Sequence, residues 1–439
     1  MPAAIPESRV VEIWRSAIQQ RQDLITSADG PVRIIYPGRL NDGRGADLKD
    51  AVIETGQGLF KGDIEVHVKS SAWKEHGHHT DPAYNQVILH VVYEHDAGEK
   101  ARLQNGLEIP TLSLDSFAEK QAGQRLTTAF TPDKPAFCNA DPELIGEALE
   151  KAGEARFRLK VREYEENLVK EGAGQTLYRG MMTALGYSKN QTPMGRLAGT
   201  VPLQELEEIL NGAEGDSSGI ARLQARLLGG AGLLPSQRHI NCLPEGSGSS
   251  GAMELEQIWN SNGWRAEMSA GEWEFYKVRP GNYPDRRIKG MAVLLTSLKM
   301  RGLVAELETI TLNAAADHGR SLEQALTVEE CRGKATETGG QAALIGKERA
   351  GEIIINVVAP FFTAYGRAAG RQESGAAAYD IYRQYRAGAE NSVERHMRKQ
   401  LGIPLKTTAT ALRRQGLLHL YKAFCTQARC RECALGKKG

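Results

Sequence analysis

One short run of the sequence places ionisable side chains at alternating positions. The run GDIEVHVKSS, residues 62–71, has an apolar residue between each pair of ionisable ones. Successive side chains of a β-strand point to opposite faces, so one face of this predicted strand carries Asp63, Glu65, His67 and Lys69. A shared face of this kind is either a solvated strand surface or a chemical site, and the run alone leaves both interpretations open.

A second carboxylate precedes this strand in the chain. Asp47 stands at the start of another predicted strand, and the turn GQG at residues 56–58 would join the two strands as an antiparallel hairpin. The hairpin would bring Asp47 close to Glu65. Two neighbouring carboxylates repel each other unless a cation lies between them, and oxygen ligands suit Mg²⁺ or Mn²⁺. The pair therefore predicts a divalent-metal site.

The connection after this strand is rich in histidine. Six of the ten histidines of the chain lie between residues 67 and 95. The loop WKEHGHHTDPAY, residues 73–84, offers imidazole and carboxylate groups that could bind Zn²⁺ or contact phosphate. The alternative is a polar loop with ordinary hydrogen bonds. The candidate loop ligands are His76, His78, His79 and Asp81.

Three cysteines near the end of the sequence form a separate candidate site. Cys425, Cys430 and Cys433 lie on one short segment after a predicted helix. Thiols at this spacing could converge on Zn²⁺ or on an iron–sulfur cluster, and the alternative is a tail of reduced thiols without metal. The local segment lacks a fourth ligand. Candidates for it are Cys138, Cys242 and Cys331.

Arginines cluster before one predicted helix. The segment RPGNYPDRR contains Arg279, Arg286 and Arg287 together with rigid turn residues. Guanidinium groups and the backbone N–H groups at a helix start suit phosphate, so the segment predicts a nucleic-acid contact. A structural turn whose arginines pair with carboxylates is the alternative.

The predicted elements change character along the chain. A helix over residues 10–25 is followed by strands over 32–36, 48–54, 59–69 and 86–93, and most of the chain after residue 141 reads as helical. The sequence thus predicts an α+β protein with a small mixed sheet and a large helical region. The predicted domains are residues 1–135, a helical region 136–243, a flexible linker 244–252, and a helical region with the cysteine tail, 253–439.

Composition excludes several classes of protein. The net charge of +1 gives no general attraction to nucleic acid or membranes, so only local patches could provide one. No apolar run approaches the roughly 20 residues that cross a bilayer. The first residues show no export signal, and cysteines are few, so we expect a cytoplasmic protein without a disulfide framework.

The order of elements resembles the core of the PD-(D/E)XK nuclease superfamily. The resemblance implies a restriction-endonuclease-like domain in which Asp47 and Glu65 hold Mg²⁺ and a basic residue positions the attacking water. This sequence has His67 where that superfamily usually has Lys, and Lys69 is a candidate substitute. The resemblance therefore implies a metal-dependent nuclease. The alternatives are a non-catalytic nucleic-acid-binding protein and a zinc-dependent hydrolase that uses the histidine loop.

Longer segments carry a second, more specific resemblance. The segments GADLKDA, GDIEVHVKSSAWKEHGHHTDPAYNQVILHVV, ALGYSKNQTPMGRLA and VRPGNYPDRRI resemble a bacterial family described as a domain of unknown function. Further matching segments, INVVAPF and RRQGLLHLY, extend the resemblance over nearly the whole chain. This family resemblance implies no particular activity.

Overall fold

The computed structural model describes residues 5–19, 24–26, 30–41, 43–98, 100–115, 138, 142–238, 250–276, 278–329 and 343–436. Within these ranges a mixed β-sheet comes first and a large helical region follows, which confirms the predicted α+β class. The strands are β1 (Leu24–Thr26), β2 (Gly30–Tyr36), β3 (Arg39–Leu40), β4 (Leu48–Thr55), β5 (Gly58–Lys69), β6 (Val87–Glu94), β7 (Ala101–Arg102), β8 (Glu108–Ile109) and β9 (Thr111–Ser113).

The helices differ greatly in length. The first two are α1 (Glu7–Gln19) and the short α2 (Ala72–Glu75), and a 30-residue helix, Pro142–Glu171, begins the helical part of the chain. None of the helices in the described ranges is long and apolar enough to cross a membrane. The remaining α-helices are Ala173–Leu185, Gln191–Thr200, Leu203–Asn211, Asp216–Gly230, Ser250–Ser261, Pro284–Ser297, Leu303–Ala314, Arg320–Leu326, Lys347–Ile353, Ala359–Ala368, Gln372–Gln384, Ser392–Leu401 and Ala411–Ala423.

The chain divides into two compact units. Unit 1 comprises Met1–Ala155, Glu390–Ala409 and Arg413–Gly439, and unit 2 comprises Arg156–Ala389 and Thr410–Leu412. This division differs from the predicted boundaries, because the C-terminal segments belong with the sheet. Leu234 and Leu255, on either side of the predicted linker 244–252, contribute to one hydrophobic cluster of unit 2. Residues 244–249 of that linker lie outside the described residues.

The sheet of unit 1 is mixed. Its strand order is β1-β2-β4-β5-β6-β9, with the short β3 also paired to β4. The pairs β1–β2, β2–β4, β3–β4 and β4–β5 are antiparallel, whereas β5–β6 and β6–β9 are parallel. The turn after β4 forms the predicted hairpin. The parallel neighbour β6 follows a crossover that contains α2 and the histidine loop, since parallel strands cannot be joined by a tight turn.

Each face of the sheet has its own core. Val10 and Trp14 of α1 pack against Ile64 and Val66 of β5 and against further apolar residues of β4 and β6. On the opposite face, Tyr36 and Val52 belong to a second cluster with residues of the C-terminal helices, including Met397, Leu417 and Tyr421. Because side chains alternate along a strand, Glu65 and His67 point away from α1.

Candidate metal centre

Two adjacent parallel strands carry the central residues of the site. In the register of β5 and β6, Glu65 lies beside His90, and His67 follows two residues later on the same face of β5. The side chains of Glu65, His67 and His90 are 5%, 1% and 0% exposed. At these positions the alternating run therefore does not form a solvated strand surface. Buried ionisable groups require partners, and each of them has one in this site.

The two predicted carboxylates meet as expected from the hairpin. The backbone N–H of Asp47 donates to Glu65 Oε2 at 3.1 Å, and the N–H of Val66 donates to Asp47 Oδ2 at 3.0 Å. Asp47 is half-buried at the start of β4. Burial and the adjacent charge of Glu65 raise the pKa of Asp47 to about 6. This carboxyl group can therefore accept or release a proton near neutral pH.

Three histidine nitrogens converge beside Glu65. His67 Nε2 lies 3.2 Å from His76 Nδ1 and 3.3 Å from His78 Nε2. Glu65 Oε1 lies 3.1 Å from His78 Nε2 and 3.6 Å from His67 Nε2. His67, His76 and His78 each offer one ring nitrogen to a group in which all three atoms lie within 4.8 Å of one another. We call His67, His76 and His78 the histidine triad.

The protonation of the triad favours a cation between its members. Burial, and then the neighbouring histidines His90, His78 and His76, lower the pKa of His67 to about 3. His67 is therefore neutral at physiological pH, with one nitrogen protonated and the other carrying a lone pair. A divalent metal would accept all three lone pairs, as metal-bound imidazoles require.

His90 holds the orientation of His67. The two rings are in edge contact, and His67 Nδ1 lies 2.9 Å from His90 Nε2. If His67 Nδ1 donates its proton to His90, His67 Nε2 presents its lone pair to the triad. Burial, followed by the charges of His78 and His95, lowers the pKa of His90 to about 3, so this ring too is neutral. A hydrogen bond to the second nitrogen of a ligating histidine is the usual outer-shell arrangement.

Aromatic residues of the connection pack around His78. Trp73 is buried, donates from Nε1 to the carbonyl of Arg102 at 3.0 Å, and touches the rings of His78 and His90. Tyr84 packs against His78 with ring centroids 3.9 Å apart and ring planes tilted by 31°. Burial and then the charges of Glu65 and Asp47 raise the pKa of Tyr84 to about 12.

The sequence interpretation did not include either aromatic residue. The only sequence signal for them is their position in the run WKEHGHHTDPAY, which begins with Trp73 and ends with Tyr84. Both roles depend on how this loop folds back onto β5 and β6. Trp73 and Tyr84 therefore shape the wall of the site on the side of His78.

Two of the predicted loop ligands have other surroundings. Both carboxylate oxygens of Asp81 accept from Arg44 Nη2, each at 3.0 Å. Asp81 Oδ1 also accepts from the backbone N–H of Ala83 at 2.9 Å. This hydrogen bond caps the short 3₁₀ turn Pro82–Tyr84. His79 is exposed and is not a member of the triad. Asp81 thus orders the loop, while His76 and His78 supply its two nitrogens of the triad.

The predicted substitute for the nuclease lysine points elsewhere. Lys69 is exposed at the end of β5, and its ammonium group lies 3.8 Å from Asp96 and 3.9 Å from Glu94. Four residues of strand separate it from Glu65, which is roughly 13 Å along the chain. The placement does not favour Lys69 as a partner of the carboxylates. His67 occupies the position beside Glu65.

Asp63 belongs to an ion pair next to the site. Lys49 Nζ lies 2.6 Å from Asp63 Oδ2, and the backbone N–H of Asp50 donates to Asp63 Oδ1 at 3.3 Å. The register of β4 and β5 shifts between Leu48 and Ala51, which places Lys49 and Asp50 in a bulge opposite this carboxylate. Asp63 therefore holds the bulge rather than the triad.

The predicted arginine contact lies in unit 2. Arg287 is 5% exposed and donates to the carbonyl of Leu344, to the hydroxyl of Tyr187 and to Asn282 Oδ1. This burial favours the structural alternative for Arg287, because its donors already serve the turn. Arg286 is half-buried and Arg279 is exposed. Their predicted contact with nucleic acid stays a prediction.

The cysteines of the predicted tail site are described in unit 1. Cys425 is buried, and Cys430 and Cys433 are half-buried, as is Cys138. None of these four forms a disulfide. The other two candidates for a fourth ligand, Cys242 and Cys331, lie outside the described residues.

The chain was compared with known proteins. Residues 7–391 match the model of a family described as "Protein of unknown function (DUF2851)". No curated protein and no solved structure matches the chain. The match covers the segments that carried the resemblance to a domain of unknown function between residues 45 and 361. It assigns no nuclease core, so that part of the interpretation stays a prediction.

Proposed function

The chain belongs to the DUF2851 family of proteins of unknown function, and from the site in unit 1 we propose that it is a metal-dependent nuclease. In this proposal the histidine triad and Glu65 hold a divalent transition metal, and the substrate is a phosphodiester of DNA or RNA. The proposal joins two interpretations that the sequence kept apart. In this proposal the carboxylates and the histidine loop form one site. The nuclease would act in the cytoplasm, where the sequence predicts the protein to be.

The observation that carries the proposal is the convergence of the three triad nitrogens, with those of His78 and His67 lying 3.1 and 3.6 Å from Glu65 Oε1. Imidazole ligands suit Zn²⁺, whereas Mg²⁺ and Mn²⁺ prefer oxygen ligands. The donor set therefore favours Zn²⁺ over the Mg²⁺ or Mn²⁺ that Asp47 and Glu65 by themselves would imply. A cation here would lower the pKa of a bound water and attract a phosphate oxygen.

Asp47 and Tyr84 supply the protein's own acid–base groups. With a pKa of about 6, Asp47 is ionised at neutral pH but remains basic enough to accept a proton from an attacking water. Tyr84 keeps its proton at neutral pH, because its pKa is about 12, and its hydroxyl can donate a hydrogen bond to an anionic substrate. Both groups adjoin Glu65 closely enough to interact with its charge.

The support for a phosphodiester substrate is the order of the elements. Helix α1, the antiparallel strands β2, β4 and β5, a crossover and the parallel strand β6 follow one another in the order that the PD-(D/E)XK resemblance implies. Asp47 immediately precedes the second of these antiparallel strands, and Glu65 lies on the third. The Glu-x-His spacing at positions 65 and 67 then replaces the usual Glu-x-Lys.

Two neighbouring histidines provide a matched test. We expect His78→Ala to remove one equivalent of bound metal and to abolish cleavage, because His78 belongs to the triad and touches Glu65. His79→Ala, at the adjacent exposed position, should leave both unchanged. Metal content is measured by elemental analysis. Cleavage is measured on labelled single-stranded DNA, duplex DNA and RNA with added Zn²⁺, Mn²⁺ or Mg²⁺.

The outcomes separate the proposal from its alternatives. A protein that binds nucleic acid but cleaves none of the three substrates with any of the three metals would overturn the nuclease and support a non-catalytic binding protein. Equal metal content in the His78→Ala and parent proteins would overturn the triad as the metal site. Cleavage that requires Mg²⁺ and persists in the His78→Ala variant would show that the carboxylates bind the metal without the triad.

His90 offers a test of the outer shell. His90→Leu should weaken metal binding about 10- to 100-fold, because His67 loses the group that fixes its tautomer and ring orientation. His90→Gln, which can still bond to His67 Nδ1, should restore part of that affinity. Titration calorimetry of the metal-free proteins measures the change. Equal affinity in the parent and the His90→Leu variant would assign His90 to the core alone.

A further inference from the structure

The C-terminal tail of unit 1 folds into two tight turns that carry its cysteines. Cys425 begins the 3₁₀ turn Cys425–Gln427 directly after the helix Ala411–Ala423, and Cys430 begins a second turn, Cys430–Glu432. Ala428 between them adopts a left-handed backbone conformation with φ of 58°. The turns bring Cys433 back toward Cys430, whose carbonyl accepts from Cys433 N at 3.3 Å.

A distant segment of unit 1 closes onto this tail. Cys138 forms an antiparallel β-bridge with Gly436. A Cβ added at Gly436 would lie 1.8 Å from the carbonyl oxygen of Cys430, so only glycine permits this backbone approach. The bridge therefore places Cys138 against the same turns that carry Cys430 and Cys433.

One side chain links two of the thiols. Gln400 Nε2 lies 3.4 Å from Cys138 Sγ and 3.8 Å from Cys425 Sγ. Cys425 belongs to the hydrophobic cluster of this face of unit 1, and Cys138 and Cys433 pack against that cluster. Burial raises the pKa of Cys425 far above its ordinary value, and charge on Cys138, Cys430 or Cys433 raises it further. The four sulfurs are thus near enough for their charges to interact.

We infer that Cys138, Cys425, Cys430 and Cys433 together bind a thiophilic metal centre, either one Zn²⁺ or an iron–sulfur cluster. Four thiolates complete the coordination of either group. Cys138 is the fourth ligand that the local sequence of the tail lacks. The inference is independent of the proposed nuclease activity, because none of these residues belongs to the histidine triad.

The spacing of the thiols bears on which centre forms. No three described cysteines have sulfurs that all lie within 4.8 Å of one another. A single zinc ion, with Zn–S bonds of about 2.3 Å, would require the thiols to move closer together. A [4Fe–4S] cluster spans a wider set of sulfurs, since each of its four cysteines binds a different iron atom. Either centre would order the tail, because metal-binding free energy contributes to folding.

Metal analysis of the full-length protein tests the inference. We expect the parent to contain either zinc or iron with acid-labile sulfide, the latter with a brown colour. Cys430→Ser combined with Cys433→Ser should remove this metal completely, and Cys138→Ser should remove most of it. The same loss should occur in a His78→Ala background. In the His78→Ala background the triad no longer binds metal, so any further loss of metal comes from the cysteines.

The control variants decide the identity of the fourth ligand. Cys242→Ser and Cys331→Ser should retain the parent's metal. If either of them releases the metal while Cys138→Ser keeps it, the assignment of Cys138 is overturned. If the Cys430→Ser/Cys433→Ser protein holds as much metal as the parent in both backgrounds, the cysteine centre is overturned altogether.

A measurement on the unchanged protein guards against misfolded variants. Alkylation of the native parent followed by mass spectrometry should leave Cys138, Cys430 and Cys433 unmodified until a strong chelator is added, and all three should then react. Rapid alkylation of these half-buried thiols before chelation would contradict the inference. A disulfide detected between any two of them in the freshly purified protein would contradict it as well.

Discussion

Glu65→Gln is expected to reduce phosphodiester cleavage about 10³-fold, the middle of the range for a lost acid–base or charge contribution at a catalytic site. Glu65 Oε1 lies 3.1 Å from His78 Nε2, and Oε2 accepts from the backbone of Asp47. Glutamine has nearly the same shape and can keep one of these contacts. The substitution therefore removes the negative charge at the triad while the hairpin of β4 and β5 stays folded.

A second readout separates a charge effect from a loss of folding. The charge of Glu65 contributes to the raised pKa of Asp47, so the acidic limb of the pH–rate profile should move to lower pH in the Glu65→Gln protein. Glu94→Gln, at an exposed position on the neighbouring strand β6, is the matched control and should cleave at the parent's rate. Parental cleavage by the Glu65→Gln protein would refute the site.

Acid is expected to destabilise the metal-free protein well above the ordinary pKa values of carboxylates. The folded-state pKa values of His67 and His90 are about 3, whereas an unfolded histidine titrates near 6.5. Between these values the unfolded chain binds protons that the folded chain does not. The stability contributed by the neutral rings is therefore complete above pH 6.5 and is lost as the pH falls below it.

The size of this effect follows from the lowered pKa values of the two histidines and the opposing, raised pKa of Asp47. From pH 7.5 to pH 5, each histidine lowers the free energy of unfolding by about 2 kcal/mol. Asp47 acts in the opposite direction, because its raised pKa of about 6 lets the folded state take up a proton first, and this offsets roughly 1 kcal/mol. The net loss is then roughly 2 to 3 kcal/mol. Bound metal should suppress it, because protons and metal compete for the same nitrogens.

Hydrogen exchange can locate this loss in the sheet. The opening free energy of β5, measured by mass spectrometry in the presence of chelator and corrected for intrinsic exchange, should fall by that amount between the two pH values. In the His90→Leu protein the fall should shrink to less than about 1 kcal/mol, because one of the two titrating rings is gone while the opposing contribution of Asp47 remains. A pH-independent opening free energy in the parent would contradict the buried neutral histidines.

The sequence determined the local order of unit 1. Alternation along residues 62–71 predicted a strand with Glu65 and His67 on one face, and the turn at 56–58 predicted the hairpin that brings Asp47 to Glu65. Both are confirmed, because strand periodicity and a tight turn are properties of neighbouring residues. The α+β class and the helical second half follow from patterns of the same short range.

Other features depend on contacts between segments that are distant in the chain. Charged residues alternating on a strand are equally compatible with a solvated surface, and only the packing of the histidine loop against β5 and β6 buries Glu65 and His67. The selection of His76 and His78 over His79 and Asp81 likewise depends on how that loop turns. Short-range periodicity contains no information about which of several nearby donors faces inward.

The same reason explains the division of the chain and the fourth cysteine. Composition placed a boundary in the glycine- and serine-rich run 244–252, whereas the segment Glu390–Ala409 and the tail from Arg413 belong to unit 1 with the sheet. Cys138 is separated from Cys425 by more of the chain than any local pattern can connect, and it meets the tail through the bridge to Gly436. Spacing along the sequence fixes which residues can act together locally. Tertiary packing decides which of them do so, because burial and long-range contacts determine which polar groups must share a partner.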